Sequence, residues 1–215
     1  MAIEVVILLK FGQKEHIENL LTKGEVYMNT IQWFKTYEKD GIGDIYEGAI
    51  EVKNIKNGKT TFKTPNNTIT VNNTNLQFRK HQKGHVGNIF STYAISNLLL
   101  NRKSIHKIDK IMMKFGSHCL IIKDVNQFLN SITNKLTELG IENSHNIVKY
   151  KNLKKNNHQL SLFNKTHLLS YQKEHRIIAY TKNDSALKFN IGSIENYAEI
   201  FTTEEIIKKT TIDRK

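Results

Sequence analysis

The chain has 215 residues and a formal net charge of +12, from 32 Lys and Arg against 20 Asp and Glu. That length supports a self-sufficient core, and the single Cys119 excludes an internal disulfide framework, so a reducing, cytoplasmic setting is the simplest expectation. No run approaches the roughly 18 apolar residues of a membrane helix, and the apolar stretch in MAIEVVILLKFG is too short, without a basic lead-in, for a signal segment.

In chain order, residues 2–10 (AIEVVILLK) form a short β-branched apolar run that predicts a buried strand. Residues 13–23 place Ile17, Leu20 and Leu21 on one helical face, and Gly24 follows as a stop. A strand is predicted over 25–29. A short helix over 31–38 turns Ile31, Phe34 and Trp33 inward, and a polar loop over 39–48 follows. Residues 49–79 alternate, with turn signals at Asn57-Gly58-Lys59 and Pro65-Asn66-Asn67, and predict a small antiparallel meander inserted in the domain. A basic, Gly-punctuated loop (80–87) leads to a strand at 88–96. A helix or loop spans 97–110, a strand 117–123, and a helix 124–139 that ends at Gly140. Residues 143–160 are the most polar stretch and are expected to be an exposed basic segment. Strands at 175–181 and 186–191 and a helix from Thr203 complete the pattern. No linker divides it and β-α alternation is irregular. One α+β domain over residues 1–215 is expected, with mixed or antiparallel sheets and flanking helices.

Three polar constellations interrupt this pattern. Lys10-Phe11-Gly12-Gln13 ends the first strand at a helix N-terminus, where free N–H groups favour phosphate; an ordinary β-to-α turn would look the same. Gly43-Asp44-Ile45-Tyr46-Glu47-Gly48 sets two carboxylates three residues apart, suited to holding Mg²⁺, to dividing acid and base roles, or simply to capping a turn. Tyr171-Gln172-Lys173-Glu174-His175-Arg176 enters an apolar strand, and the cations beside Glu174 favour its ionised form. A fixed anion there can orient a sugar hydroxyl or stabilise an oxocarbenium ion, whereas an edge strand would present the same charges to water.

His81 and His85 have i, i+4 spacing, but Gly84 and Gly87 oppose a helix and no zinc signature accompanies them, so no metal is expected. Neither a Walker loop nor a G-x-G-x-x-G or G-x-S-x-G motif is present. The positive charge attracts nucleic acid or acidic proteins. Arg79, Lys80 and Lys83, and separately Lys149, Lys151, Lys154 and Lys155, are candidates for phosphate contacts, with Phe78 and Tyr150 near enough to stack. A solvated lysine face is the plainer reading of either group.

The stretch LLKFGQKEHIENLLTKGEVYMNTIQWFKTYEKDGIGDIYEG, with FGSHCLIIKD, YQKEHRI and IGSIENYAEI further on, resembles a family of bacterial and phage proteins known only as a domain of unknown function. The same order is more distantly similar to DarT-type DNA ADP-ribosyltransferases: Ile17-Glu18-Asn19-Leu20 matches the first helix and Glu174 the catalytic Glu that opens a late strand. Lys10-Phe11-Gly12 stands where those enzymes carry a His-x-Thr-like motif. The resemblance implies a split-sheet core that binds NAD or a related nucleotide, with Glu174 catalytic. It also implies that Lys10, Gln13, Tyr27, Asn29, Tyr171 and Arg176 line the nucleotide and Asp44, Tyr46 and Glu47 the acceptor side. The expected setting is phage–host conflict. The alternative is a non-catalytic nucleic-acid- or protein-binding module that regulates the same conflict.

Overall fold

A computed structural model describes residues 3–37, 43–82, 87–97 and 107–209. Among these, no helix is long and apolar enough to cross a membrane.

The chain is a mixed α+β protein organised around β5 (Asn88–Ser96), whose two edges are used differently. One edge pairs antiparallel with β11 (Glu174–Ala179) from Asn88 to Tyr93, and β11 in turn pairs with β7 (Asn143–Ile147). The other edge is shared. β1 (Val5–Gly12) pairs with Tyr93 to Ser96, while β2 (Glu25–Thr30) pairs only with Asn88 and Ile89. Among the described residues, no strand pairs with residues 90–92 on that side. There the sheet forks, β1 continuing to β6 (His118–Ile122) and β13 (Ala198–Thr202), and β2 to β12 (Leu187–Asn190).

The unbroken apolar run of β1 follows from burial on both faces. Leu8 enters a core that includes Ile17 and Leu20 of α1 (Lys14–Lys23) and Phe128, Ile132 and Leu136 of α3 (Val125–Glu138). Leu9 and Phe11 enter a second cluster on the opposite face, with Tyr93, Ile95, Cys119 and Ile206, the last on α4 (Thr203–Lys209). Ile31 of α2 (Ile31–Thr36), Ile89 and Ile178 form a third, smaller one. Gly24 closes α1 in the left-handed region (φ 62), where a Cβ would also lie 2.0 Å from the Gly192 carbonyl oxygen. Gly116 (φ +148) lets the chain after the 3₁₀ turn Lys110–Phe115 cross the end of β1; a Cβ there would lie 2.1 Å from the carbonyl carbon of Gly12.

Two expectations are corrected. Residues 49–79 form no meander but one long ribbon, β3 (Ala49–Thr64) against β4 (Asn67–His81), turning only at Pro65-Asn66. Asn57 adopts the left-handed conformation (φ 54) as a bulge within β3, and Asn73 (φ 58) does the same in β4, so the two extra residues offset each other and the ladder continues. Residues 143–160 are not simply an exposed segment either. They contribute β7, β8 (Lys149–Lys151) and β9 (His158–Gln159), and bury Val148 and Leu153. Most of the predicted helix or loop over 97–110 lies outside the described residues, as do residues 39–42 and Lys83.

Candidate functional site

Pairing of Glu174 with Tyr93 and of Arg176 with Ser91 puts both side chains on the Ile89–Ile178 face of the sheet, beside the fork. Lys173, in the left-handed conformation (φ 44), joins the 3₁₀ turn His167–Gln172 to β11 immediately before Glu174. Arg176 is buried and its guanidinium makes four hydrogen bonds. Nη1 and Nη2 donate to the two carboxylate oxygens of Glu47 at 2.8 and 2.7 Å, Nε donates to Glu174 Oε2 at 2.6 Å, and Nη1 also donates to the Leu162 carbonyl at 2.7 Å. Lys165, on β10 (Asn164–Thr166), donates to Glu174 Oε1 at 2.5 Å and to Gln172 Oε1 at 2.7 Å. The Tyr150 hydroxyl accepts from the Glu174 amide at 2.9 Å.

Burial alone would raise the Glu174 carboxyl, but Arg176 and then Lys165 outweigh it and hold it at about 2. Glu174 is thus a permanent anion, and only 7% exposed. Asp44 behaves oppositely. Burial and the neighbouring Glu47 push its carboxyl up; Oδ1 accepts from the Tyr46 amide at 2.9 Å, and Oδ2 is a buried atom with no hydrogen-bond partner among the described residues.

Lys10 approaches the same place from the other side of the fork. Its Nζ donates to the Ser91 carbonyl at 2.8 Å and lies 4.2 Å from the centroid of the Phe90 ring, while the Ser91 hydroxyl reaches Glu174 Oε2 at 3.4 Å. Burial lowers the Lys10 ammonium to about 8, with the Glu174 charge opposing. Below that pH the charge is held at a cost in stability, the pattern of a group placed for a task. Lys10→Met is therefore expected to leave the melting temperature at pH 7 unchanged or higher while abolishing any rise on adding NAD. A variant that melts several degrees lower, or that keeps the NAD response, contradicts this.

The predicted residues divide accordingly. Glu174, Arg176, Glu47 and Asp44 converge, while Lys10 reaches the Ser91 carbonyl from the Phe90 face of the sheet. Asn29 is half-buried opposite Ile89, and Tyr27 is exposed on the same face of β2. Gln13 caps α1 through its backbone and is exposed, and Tyr171 lies in the 3₁₀ turn against the second core cluster. Tyr46 turns away from the carboxylates; its hydroxyl donates to Gln77 Oε1 at 2.7 Å, and Arg79 lies over its ring. The Mg²⁺ reading of Asp44 and Glu47 loses its second ligand, because both Glu47 oxygens hold Arg176. Among the described residues no three His, Cys, Asp or Glu side chains converge as a metal site requires. Sequence reasoning missed Lys165 and Ser91, gave Tyr150 a stacking role instead of a contact to the Glu174 amide, and named Gln172 only as part of the 171–176 stretch.

Comparison with family models, curated proteins and solved structures gives no match.

Proposed function

We propose that the chain is an ADP-ribosyltransferase-like protein that holds NAD or a related nucleotide at the fork of its sheet and modifies a nucleic-acid or protein acceptor in phage–host conflict. One observation carries this reading: an ammonium (Lys10) and a permanently ionised carboxylate (Glu174) flank Ser91 where β1 and β2 part. A forked sheet with a cation for phosphate and an anion for a developing sugar cation suits the cleavage of a nicotinamide glycosidic bond. Lys10 would neutralise the pyrophosphate. Glu174, with both oxygens already hydrogen-bonded, would act by its charge and not as a proton acceptor. A ribose hydroxyl reaches it only when Lys165 or Arg176 releases a contact.

Glu174→Gln is expected to abolish NAD turnover and cellular toxicity while NAD still raises the melting temperature. Full turnover by that variant, once shown folded, rejects the enzyme reading.

The non-catalytic alternative draws on a different observation. Asn54 and Gln77 donate to the Leu153 carbonyl, both at 3.0 Å, and so tie the ribbon that carries Arg79 and Lys80 to the segment that carries Lys149–Lys155. That reading expects salt-sensitive nucleic-acid binding weakened by charge reversal at Lys149, Lys151, Lys154 and Lys155 and indifferent to Glu174.

A further inference from the structure

We propose that the β3–β4 ribbon is an arm that binds single-stranded nucleic acid, its apolar face stacking on unpaired bases and its lysines meeting phosphates. The inference names the acceptor class of the proposed function, although its evidence is separate from the fork.

The register decides the arrangement. Successive rungs pair Lys53 with Phe78, Ile55 with Leu76, Gly58 with Thr74, Thr60 with Val71 and Phe62 with Ile69. The compensating bulges keep these rungs on one face, so Phe78, Leu76, Ile55, Val71, Ile69 and Phe62 form a single stripe. Each of the six is between 38% and 56% exposed. The rungs from Phe78 to Phe62 span roughly 27 Å at about 3.4 Å per residue. An apolar patch on the order of 500 Å² on a two-stranded ribbon, which is marginally stable alone in water, marks a binding surface. Asn54 and Gln77 lie on the opposite face, where they hold residues 153–157. The outer part of the stripe, from Val71 to Phe62, therefore lies on the face opposite these contacts, while Ile55 and Leu76 at its base line a groove shared with Lys154.

Charge selects the occupant. From Val52 to Gln82 the sequence has Lys53, Lys56, Lys59, Lys63, Lys80 and Arg79 and no Asp or Glu. All six cations are exposed. Glu51, ion-paired with Lys53 at 3.4 Å, is the nearest acid on the strand. Lys154 and Lys56 line one groove of about 570 Å³ at the ribbon base, which extends the basic surface onto the body. A second copy of this chain would bring an equal positive charge to the stripe, and an ordinary apolar protein surface would leave the lysines without a purpose. Unpaired bases supply apolar faces and a phosphate backbone together, and exposed Phe62 and Phe78 are the side chains on which such bases stack. In a duplex the base faces are already covered.

The test is anisotropy titration of labelled oligonucleotides of about 16 nucleotides, single-stranded DNA, single-stranded RNA and duplex, at two salt concentrations and without NAD. Single strands are expected to bind more tightly than duplex. Phe62→Ser and Phe78→Ser should each weaken binding about tenfold at unchanged salt slope, and Lys59→Gln with Lys63→Gln should reduce the slope of log K against log salt by about 1.4. DNA against RNA then identifies the natural strand. Tighter duplex binding, single-strand binding unchanged in all three variants, or no binding to any oligonucleotide would each overturn the proposal. These positions are exposed, so circular dichroism melting confirms that the variants fold. An inactive Glu174→Gln protein that still binds the oligonucleotide separates failure of the nucleotide reading from failure of this one.

Discussion

Replacing Arg176 with leucine is expected to destabilise the protein by about 3–5 kcal/mol, the largest effect of any single substitution at the site. The guanidinium joins the 43–48 loop, β11 and the Leu162 carbonyl. Removing it strands the Glu47 carboxylate without its counter-ion and leaves Glu174 dependent on Lys165. Lysine does not rescue the loss, because a single ammonium cannot hold both oxygens of Glu47 while reaching Glu174. The double variant Glu47→Met with Arg176→Met is expected to recover much of the loss, since a well-packed apolar pair avoids burying charge at all. Urea unfolding of the three proteins checks this. A loss below about 1 kcal/mol for Arg176→Leu would show that the network contributes little to the fold. The same network complicates Glu174→Gln, which leaves Lys165 and Arg176 with a weaker acceptor, so a melting curve must accompany every activity assay.

The second large effect is acid lability through His175. It is 3% exposed, its Nε2 lies 3.2 Å from Nδ1 of His145, and its Nδ1 is buried with no partner among the described residues. Burial first, and His145 second, lower its pKa from 6.5 to about 4. The folded state therefore favours the neutral ring. Its contribution is complete above pH 6.5 and is lost as pH falls toward 4, because the unfolded chain takes up the proton that the native state refuses. The full excursion is worth about 3 kcal/mol. His81, lowered by burial and by Lys35 and Arg79, adds in the same direction, whereas Asp44, pushed up, gains relative stability as pH falls. Glu174 enters only below 4.5, on the way to about 2. Between pH 6.5 and 5 the melting temperature is expected to fall steeply in the parent protein and less so in His175→Asn. Equal slopes would remove His175 from the account.

The elements were largely legible in the residues themselves. The helix around Ile17 and Leu20 with its Gly24 stop, the strands over 88–96 and 118–122, and α3 ending before Gly140 follow from local periodicity and caps, which a linear reading sees directly. The ribbon was misread because Asn57-Gly58, a good hairpin signal, was used as a bulge. Only the residues opposite, with Asn73 bulged in compensation, decide between those outcomes. At the site, Glu174, Arg176, Glu47 and Lys10 stand out as polar residues at strand ends and in a loop, yet nothing local shows which of them meet. Lys165 is nine residues from Glu174 and Glu47 is 129 from Arg176, with no periodic relation between them.

Residue order was enough to specify an α+β chain with excess positive charge, a set of amphipathic elements and a few polar residues at strand ends. Tertiary structure alone decided that β1 and β2 part on one edge of β5, that two carboxylates and two cations neutralise one another in a buried network, and that six apolar side chains of the ribbon share a face. The reason is physical. Propensity and periodicity act over a few residues, while charge pairing, burial and strand register depend on which distant segments meet, and that is settled only when the whole core closes.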